Sequence, residues 1–247
     1  MIKDRTGEIY TFSDGRTMTI IEYITNKNMK VMFNDGTVVD NCYYAGFLKG
    51  DIKNNNTPII YGVGYFGYGP YASKIKGITT LPYSRWKNIL NRCYREDRQQ
   101  KQISYELCFM NPEWHNYQVF AKWFEENYIN GFEIDKDILF KGNKVYSAET
   151  CCFVSSEINK LLTNRKIKRG SFLIGVSYYK KIKKYMSCIH INGVQKHLGY
   201  FYTEKEAFDA YKTAKEQNIK DVADKFKDEI TPECYDALIN WTIDIND

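Results

Sequence analysis

Apolar positions come in short runs with polar breaks over the first fifty residues and shift to a helical period after residue 80. Thr19-Ile20-Ile21-Glu22-Tyr23-Ile24 and Met29-Lys30-Val31-Met32-Phe33 are β-branched or aromatic runs separated by Thr25-Asn26-Lys27-Asn28. Asn34-Asp35-Gly36 then supplies hairpin-forming residues ahead of Thr37-Val38-Val39. The pattern predicts a small antiparallel β-barrel over residues 1–58, near the size at which a domain folds alone only marginally. From Tyr83 the period is helical: Trp86, Ile89, Leu90 and Cys93 recur at i, i+3, i+4, i+7. A second helix carries Trp114, Tyr117, Phe120, Ala121 and Phe124 after Asn111-Pro112, with Pro suited to a first turn. Both stripes read as core, and the polar stretch from Arg95 to Ser104 reads as loop.

Further along, Glu133-Ile134-Asp135-Lys136-Asp137-Ile138 predicts a strand and Gly142-Asn143 a turn. Leu139 to Val145 is a second strand or a loop, and Ser155 to Leu162, holding Asn159, is a helix. The order is that of a ββα unit, which can set an acid from its first strand and a polar residue from its helix about one metal ion. Residues 176–201 predict three short strands, the last two joined by Asn192-Gly193, followed by a helix opened by a Thr203-x-x-Glu206 capping box. Ala207, Ala210, Tyr211 and Ala214 form that helix's apolar face. Strand alternation turns Ser187, Ile189 and Ile191 toward it and Met186, Cys188 and His190 outward.

Charge adds what periodicity cannot. The 247 residues carry a net charge of +5, but residues 160–203 hold 10 basic side chains and no acidic one, while residues 204–247 hold 6 basic and 12 acidic. An ordinary solvated face contains some Asp or Glu to soften self-repulsion, so this stretch points to a polyanion, and duplex DNA is the expected partner through counterion release. A membrane surface is disfavoured because the stretch lacks amphipathic helical spacing. No window approaches eighteen consecutive apolar residues, and Met1-Ile2-Lys3-Asp4 does not begin a signal peptide, which predicts an intracellular, cytoplasmic protein. Seven cysteines, an odd number at irregular spacing, fit reduced thiols in that compartment.

Two motifs invite chemistry and are better read as structure. Gly62-Val63-Gly64-Tyr65-Phe66-Gly67 matches G-x-G-x-x-G, yet Tyr68-Gly69-Pro70 follows where a phosphate-binding turn needs a helix, so residues 59–82 read as an aromatic-bearing connector. Cys93, Cys108, Cys151, Cys152 and His115 contain no CxxC pair, which argues against zinc and for buried thiols.

The run Trp86, Arg92-Cys93-Tyr94, Trp114, Phe120, Trp123, Asp135-Lys136-Asp137, Tyr146-Ser147, Cys151 and Asn159, spanning residues 83–165, resembles HNH-type proteins of phages and other mobile elements. The resemblance implies a metal-dependent DNA endonuclease with Asp135, Lys136, Asp137 and Asn159 as catalytic residues. Asp135, Asp137 and Asn159 would hold Mg²⁺ or Mn²⁺. In the family's strict form a histidine follows the first-strand acid and deprotonates water; Lys136 stands there, and the family's central Asn falls near Thr150. A catalytically inactive ββα unit is the other reading of the same residues.

Gly175-Val176-Ser177-Tyr178-Tyr179, Lys183 to Ile191, Asn192-Gly193, Lys196 to Phe201 and Thr203 to Ala207 are similar to the AP2 DNA-binding domain, over residues 170–228. That likeness implies that the outward sheet face enters the major groove, with Ser177, Tyr179, Cys188, His190, Gln195 and His197 at contact positions and Lys180, Lys181, Lys183, Lys184 and Lys196 on phosphates. Most of the family's arginines are absent here.

The expected architecture is α+β and multi-domain: an SH3-like module at 1–58, a connector at 59–82, an HNH-like region at 83–165 and an AP2-like domain with an acidic helical tail at 166–247. The module or the tail is a candidate surface for a protein partner. The function expected is that of a phage or mobile-element DNA-binding protein acting as a homing-like nuclease, with a regulatory or anti-defence protein that lacks the chemistry as the alternative.

Overall fold

The computed structural model describes residues 3–97, 107–162 and 171–246; the loop expected at Arg95–Ser104 and the basic cluster of Arg165, Lys166, Lys168 and Arg169 lie largely outside them. The fold is mixed α+β, with six α-helices and several sheets among the described residues, none closed into a barrel. Contacts divide the chain into two units, residues 1–101 with 112–122, and residues 102–111 with 123–247.

The first unit begins with an antiparallel meander, β1 (Ile9–Thr11), β2 (Thr17–Thr25), β3 (Asn28–Phe33) and β4 (Val38–Cys42), in sheet order β1-β2-β3-β4. The expected strands and the Asn34-Asp35-Gly36 turn are present, Gly36 taking φ 85° while Phe33 N–H donates to the Thr37 carbonyl at 2.8 Å. The expected barrel is not. Closure needs the first strand to pair with the last, whereas β1 pairs only with β2 and β4 only with β3. Helix α1 (Tyr44–Lys49) closes the apolar face instead, bringing Phe47 onto Met18, Ile20, Met29, Val31 and Phe33, with Tyr10 and Phe12 alongside.

A two-residue-strand hairpin, β5 (Lys74–Ile75) with β6 (Ile78–Thr79), precedes α2 (Leu81–Tyr94), whose Trp86, Ile89, Leu90 and Cys93 are all buried as the spacing required. The second expected helix is broken in two: Pro112–His115 is a 3₁₀ turn, and α3 runs Tyr117–Asn127. Asn116 makes the break, its Oδ1 accepting the Gln118 N–H at 2.9 Å as a helix cap. Trp114 is nonetheless buried, and its carbonyl accepts the Trp86 indole N–H at 2.7 Å. The G-x-G-x-x-G glycines serve packing. A side chain on Gly64 would strike Leu90 and Trp86, and one on Gly67 would strike Asn116.

In the second unit β7 (Phe109–Met110) pairs in parallel with β9 (Val145–Tyr146), and β8 (Glu133–Asp135) pairs antiparallel with β10 (Cys152–Val154). Helix α4 (Ser156–Leu162) follows β10, so two paired strands precede a helix with β9 between them in the chain, and Leu139–Phe140, expected in a strand or a loop, lies in a loop. Phe153 of β10 anchors this part, meeting Trp123, Phe124 and Tyr128 at ring-centroid distances of 5.3–5.6 Å. The C-terminal sheet has order β11-β12-β13, with β11 Val176–Tyr179, β12 Lys184–Ile191 and β13 Val194–Phe201. Helix α5 (Glu204–Lys225) packs across it and opens with the expected capping box. Helix α6 (Pro232–Ile239) buries Cys234 and Leu238, and the segment after it is held to α5 by Lys212 donating to the Ile243 carbonyl at 2.8 Å.

Candidate nucleic-acid interface

The Asn192-Gly193 turn sets the C-terminal sheet. Both residues have positive φ (53° and 78°), the conformation of a type I′ hairpin, and Ile191 pairs with Val194 across it. Counting back, His190 faces Gln195 and Cys188 faces His197. A bulge between Ser187 and Cys188 then shifts the register, so that Met186 faces Tyr200 and Ser177 faces Met186 from the other side. Partners across a ladder share a face. Ser177, Tyr179, Cys188, His190, Gln195 and His197 therefore lie together on the face away from α5, joined by Lys184, Met186 and Tyr200. The helix-facing side is the buried one: Ser187 and Ile189 are at 0% and 2% exposure. Lys196 is the exception among the expected contacts, since it pairs with Ile189 and belongs to the other side.

Three rings run along the outward face, with Tyr200 4.5 Å from His197 and 5.6 Å from Tyr179. Lys180, Lys181 and Lys183 are exposed in the β11–β12 turn at one end, and Lys184 sits 4.1 Å over the Tyr202 ring. The first acids after the acid-free stretch have other partners. Glu204 accepts the Leu173 N–H at 2.6 Å, Glu206 accepts the N–H groups of Tyr202 and Thr203, and Asp209 pairs with Lys205 at 2.7 Å. Among the described residues, Lys180, Lys181, Lys183 and Lys184 take part in no ion pair. The aromatic column was not legible in the sequence, because an unbulged register would have put Tyr200 opposite Tyr185 on the helix side; Gly199, with φ 148°, is the one local hint.

Cys188 is half-buried on this face and burial pushes its thiol up, while the other six cysteines are buried. Native protein is expected to give at most one slowly alkylated thiol against seven in denaturant, read by mass spectrometry. Protection of that thiol by added duplex DNA would mark the outward face as a contact surface, and labelling indifferent to DNA would exclude it.

The ββα residues are differently committed. Asp135 is half-buried, and burial raises its carboxyl although Oδ1 accepts the N–H groups of Asp137 and Ile138 at 2.7 and 3.1 Å. Lys136 is only 5% exposed; its Nζ donates to Asp137 Oδ1 at 2.7 Å and to the Asn143 carbonyl at 2.6 Å. Asn143 returns the bond, donating from Nδ2 to the Lys136 carbonyl at 2.8 Å. Asn159 Nδ2 donates to Glu133 Oε2 at 2.9 Å. Thr150, near the family's central Asn, donates to the Val145 carbonyl at 2.7 Å.

These carboxylates already have partners inside the protein. An ammonium already neutralises Asp137, Asp135 spends an oxygen on a local turn, and among the described residues no group of three His, Cys, Asp or Glu is placed to hold a metal. The cysteines that suggested zinc divide between the units, Cys93 and His115 in the first and Cys108, Cys151 and Cys152 in the second. Burial pushes the Cys151 thiol up to about 12, and Cys152 Sγ lies 3.6 Å from Cys234 Sγ. Among the described residues no helix is long and apolar enough to cross a membrane. No family model, curated protein or solved structure matches this chain.

Proposed function

We propose that this chain binds duplex DNA through the outward face of the β11-β12-β13 sheet and works as a regulatory or counter-defence protein of a phage or other mobile element. One observation carries the reading: a single acid-free face collects Ser177, Tyr179, His190, Gln195 and His197, with the Lys180–Lys184 turn at its edge. Phosphate contact by the turn lysines would supply affinity and orientation, and the side chains of the face would meet base edges.

DNA hydrolysis is the second reading, favoured by the order β8, β10, α4 with Asn159 on the helix. It requires Lys136 to release Asp137, and so stands behind binding alone. Full-length protein mixed with supercoiled plasmid and linear duplex, with and without Mg²⁺ or Mn²⁺, separates the two. Metal-independent retardation with no nicking is expected. Metal-dependent nicking that is lost in Asp135→Ala would make hydrolysis the function, and absence of retardation in any condition would end both readings. Lys136→Ala is expected to lower stability by about 1–3 kcal/mol, since it leaves the Asn143 carbonyl unpaired, with DNA affinity unchanged; urea titration and retardation report the two separately.

A further inference from the structure

We infer that the outward face of the C-terminal sheet selects A·T over G·C base pairs in the major groove, with Gln195 as the adenine-reading residue; this rests on the DNA-binding reading above. Adjacent strands lie about 4.8 Å apart, so three strands present a face about 10 Å across. The major groove of B-DNA, about 12 Å wide, admits it, whereas the minor groove, about 6 Å wide, does not.

What such a face can read follows from its side chains. Guanine is read most often by Arg or Lys reaching O6 and N7 together. Arg169 is the last arginine of the chain, ahead of the sheet. The lysines are placed away from the centre of the face: Lys180, Lys181 and Lys183 are in the turn, Lys184 is drawn over the Tyr202 ring, and Lys196 belongs to the opposite side. Adenine is read by an amide that accepts from N6 and donates to N7. Gln195 is the one amide among the outward residues; it is exposed and directly opposite His190. Met186 and Cys188, neighbours on the same face, offer apolar surface of the kind that meets a thymine methyl group. The combination of one amide with apolar neighbours, and no central cation, matches an A·T pair.

The test uses full-length protein and four duplexes of equal length at fixed salt and pH, read by competition retardation: mixed-sequence A·T, mixed-sequence G·C, the A·T duplex with uracil for thymine, and the A·T duplex with 7-deazaadenine for adenine. Uracil removes only the major-groove methyl, and 7-deazaadenine only the N7 acceptor. The A·T duplex is expected to bind about tenfold more tightly than G·C, the worth of one good bidentate contact, and each modified duplex to lose part of that margin. Gln195→Ala should abolish sensitivity to 7-deazaadenine while leaving the dependence on salt unchanged. Equal, salt-sensitive binding of all four duplexes would overturn A·T selection and leave DNA binding standing; an A·T preference indifferent to both modifications marks minor-groove readout and would overturn the major-groove role of Gln195. Tighter binding of G·C would also overturn it, and no binding to any duplex would remove the DNA-binding reading as well.

Discussion

Replacing Lys180, Lys181, Lys183 and Lys184 together by Gln is expected to weaken duplex-DNA binding about a hundredfold at 0.1 M salt and to reduce the slope of log affinity against log salt by about 3 to 4. Each lysine that neutralises a phosphate releases condensed counterions, contributing about 0.9 to that slope. The fold should tolerate the change. Lys180, Lys181 and Lys183 are exposed in a turn, and Lys184 contributes only a ring contact to Tyr202. Among the described residues none of the four lysines takes part in an ion pair. Circular dichroism should superimpose on that of the native protein, and retardation at several salt concentrations gives the slope. An unchanged slope would move the phosphate contacts off this turn. Glutamines at Lys205, Lys220 and Lys225 of α5 and at the exposed Lys227 just after it, away from the outward face, provide the matched control and should leave the slope as it was.

The second large effect is on folding of the sheet itself. Gly175→Ala is expected to destabilise the C-terminal sheet by about 2–4 kcal/mol, combining a left-handed backbone with overpacking. Gly175 has φ 78°, and a Cβ there would fall well inside contact distance of the Tyr211 ring. Tyr211 is buried against the sheet and cannot swing into solvent without exposing the centre of α5's apolar face. Gly175 also accepts the Cys188 N–H at 3.0 Å, next to the bulge that turns Tyr200 outward. Strain at this point should therefore reach the outward face as well as the core. Faster amide exchange across β11, β12 and β13 measures the first, and weaker DNA retardation the second. Tyr211→Ala should cost less in the Gly175→Ala chain than in the native one, because the clash it relieves is present only there. A substitution that leaves exchange in all three strands unaltered would mean that the ring yields, and that the glycine serves no packing purpose.

How much of this was legible before folding depends on whether the deciding interaction is local. The hairpins at Asn34-Asp35-Gly36 and Asn192-Gly193, the capping box of Thr203 and Glu206, and the buried stripe of Trp86, Ile89, Leu90 and Cys93 all rest on residues within a few positions of one another. Backbone conformation at Gly and Asn, and the 3.6-residue period, are properties of short segments, so they survive into the folded chain unchanged. The acid-free stretch of residues 160–203 is likewise a fact of composition that no packing can alter.

Interactions across distant residues decided the rest. Whether β1 to β4 close into a barrel depends on β1 meeting β4, and α1 with Phe47 fills the place that closure would have taken. Gly64 and Gly67 look like a phosphate cradle in isolation, and only the approach of Leu90, Trp86 and Asn116 explains why side chains are excluded there. Asp135, Lys136 and Asp137 are neighbours in sequence, and only the fold brings the Asn143 carbonyl, seven residues from the lysine, onto its ammonium. A one-residue bulge at Ser187 and Cys188 moves Tyr200 from one face of the sheet to the other. The sequence by itself determined the elements, their turns and the sign of the charge, because these arise from neighbouring residues. Tertiary structure alone decided which polar groups remain available, because a side chain's commitments are settled by whatever long-range packing brings within hydrogen-bonding reach of it.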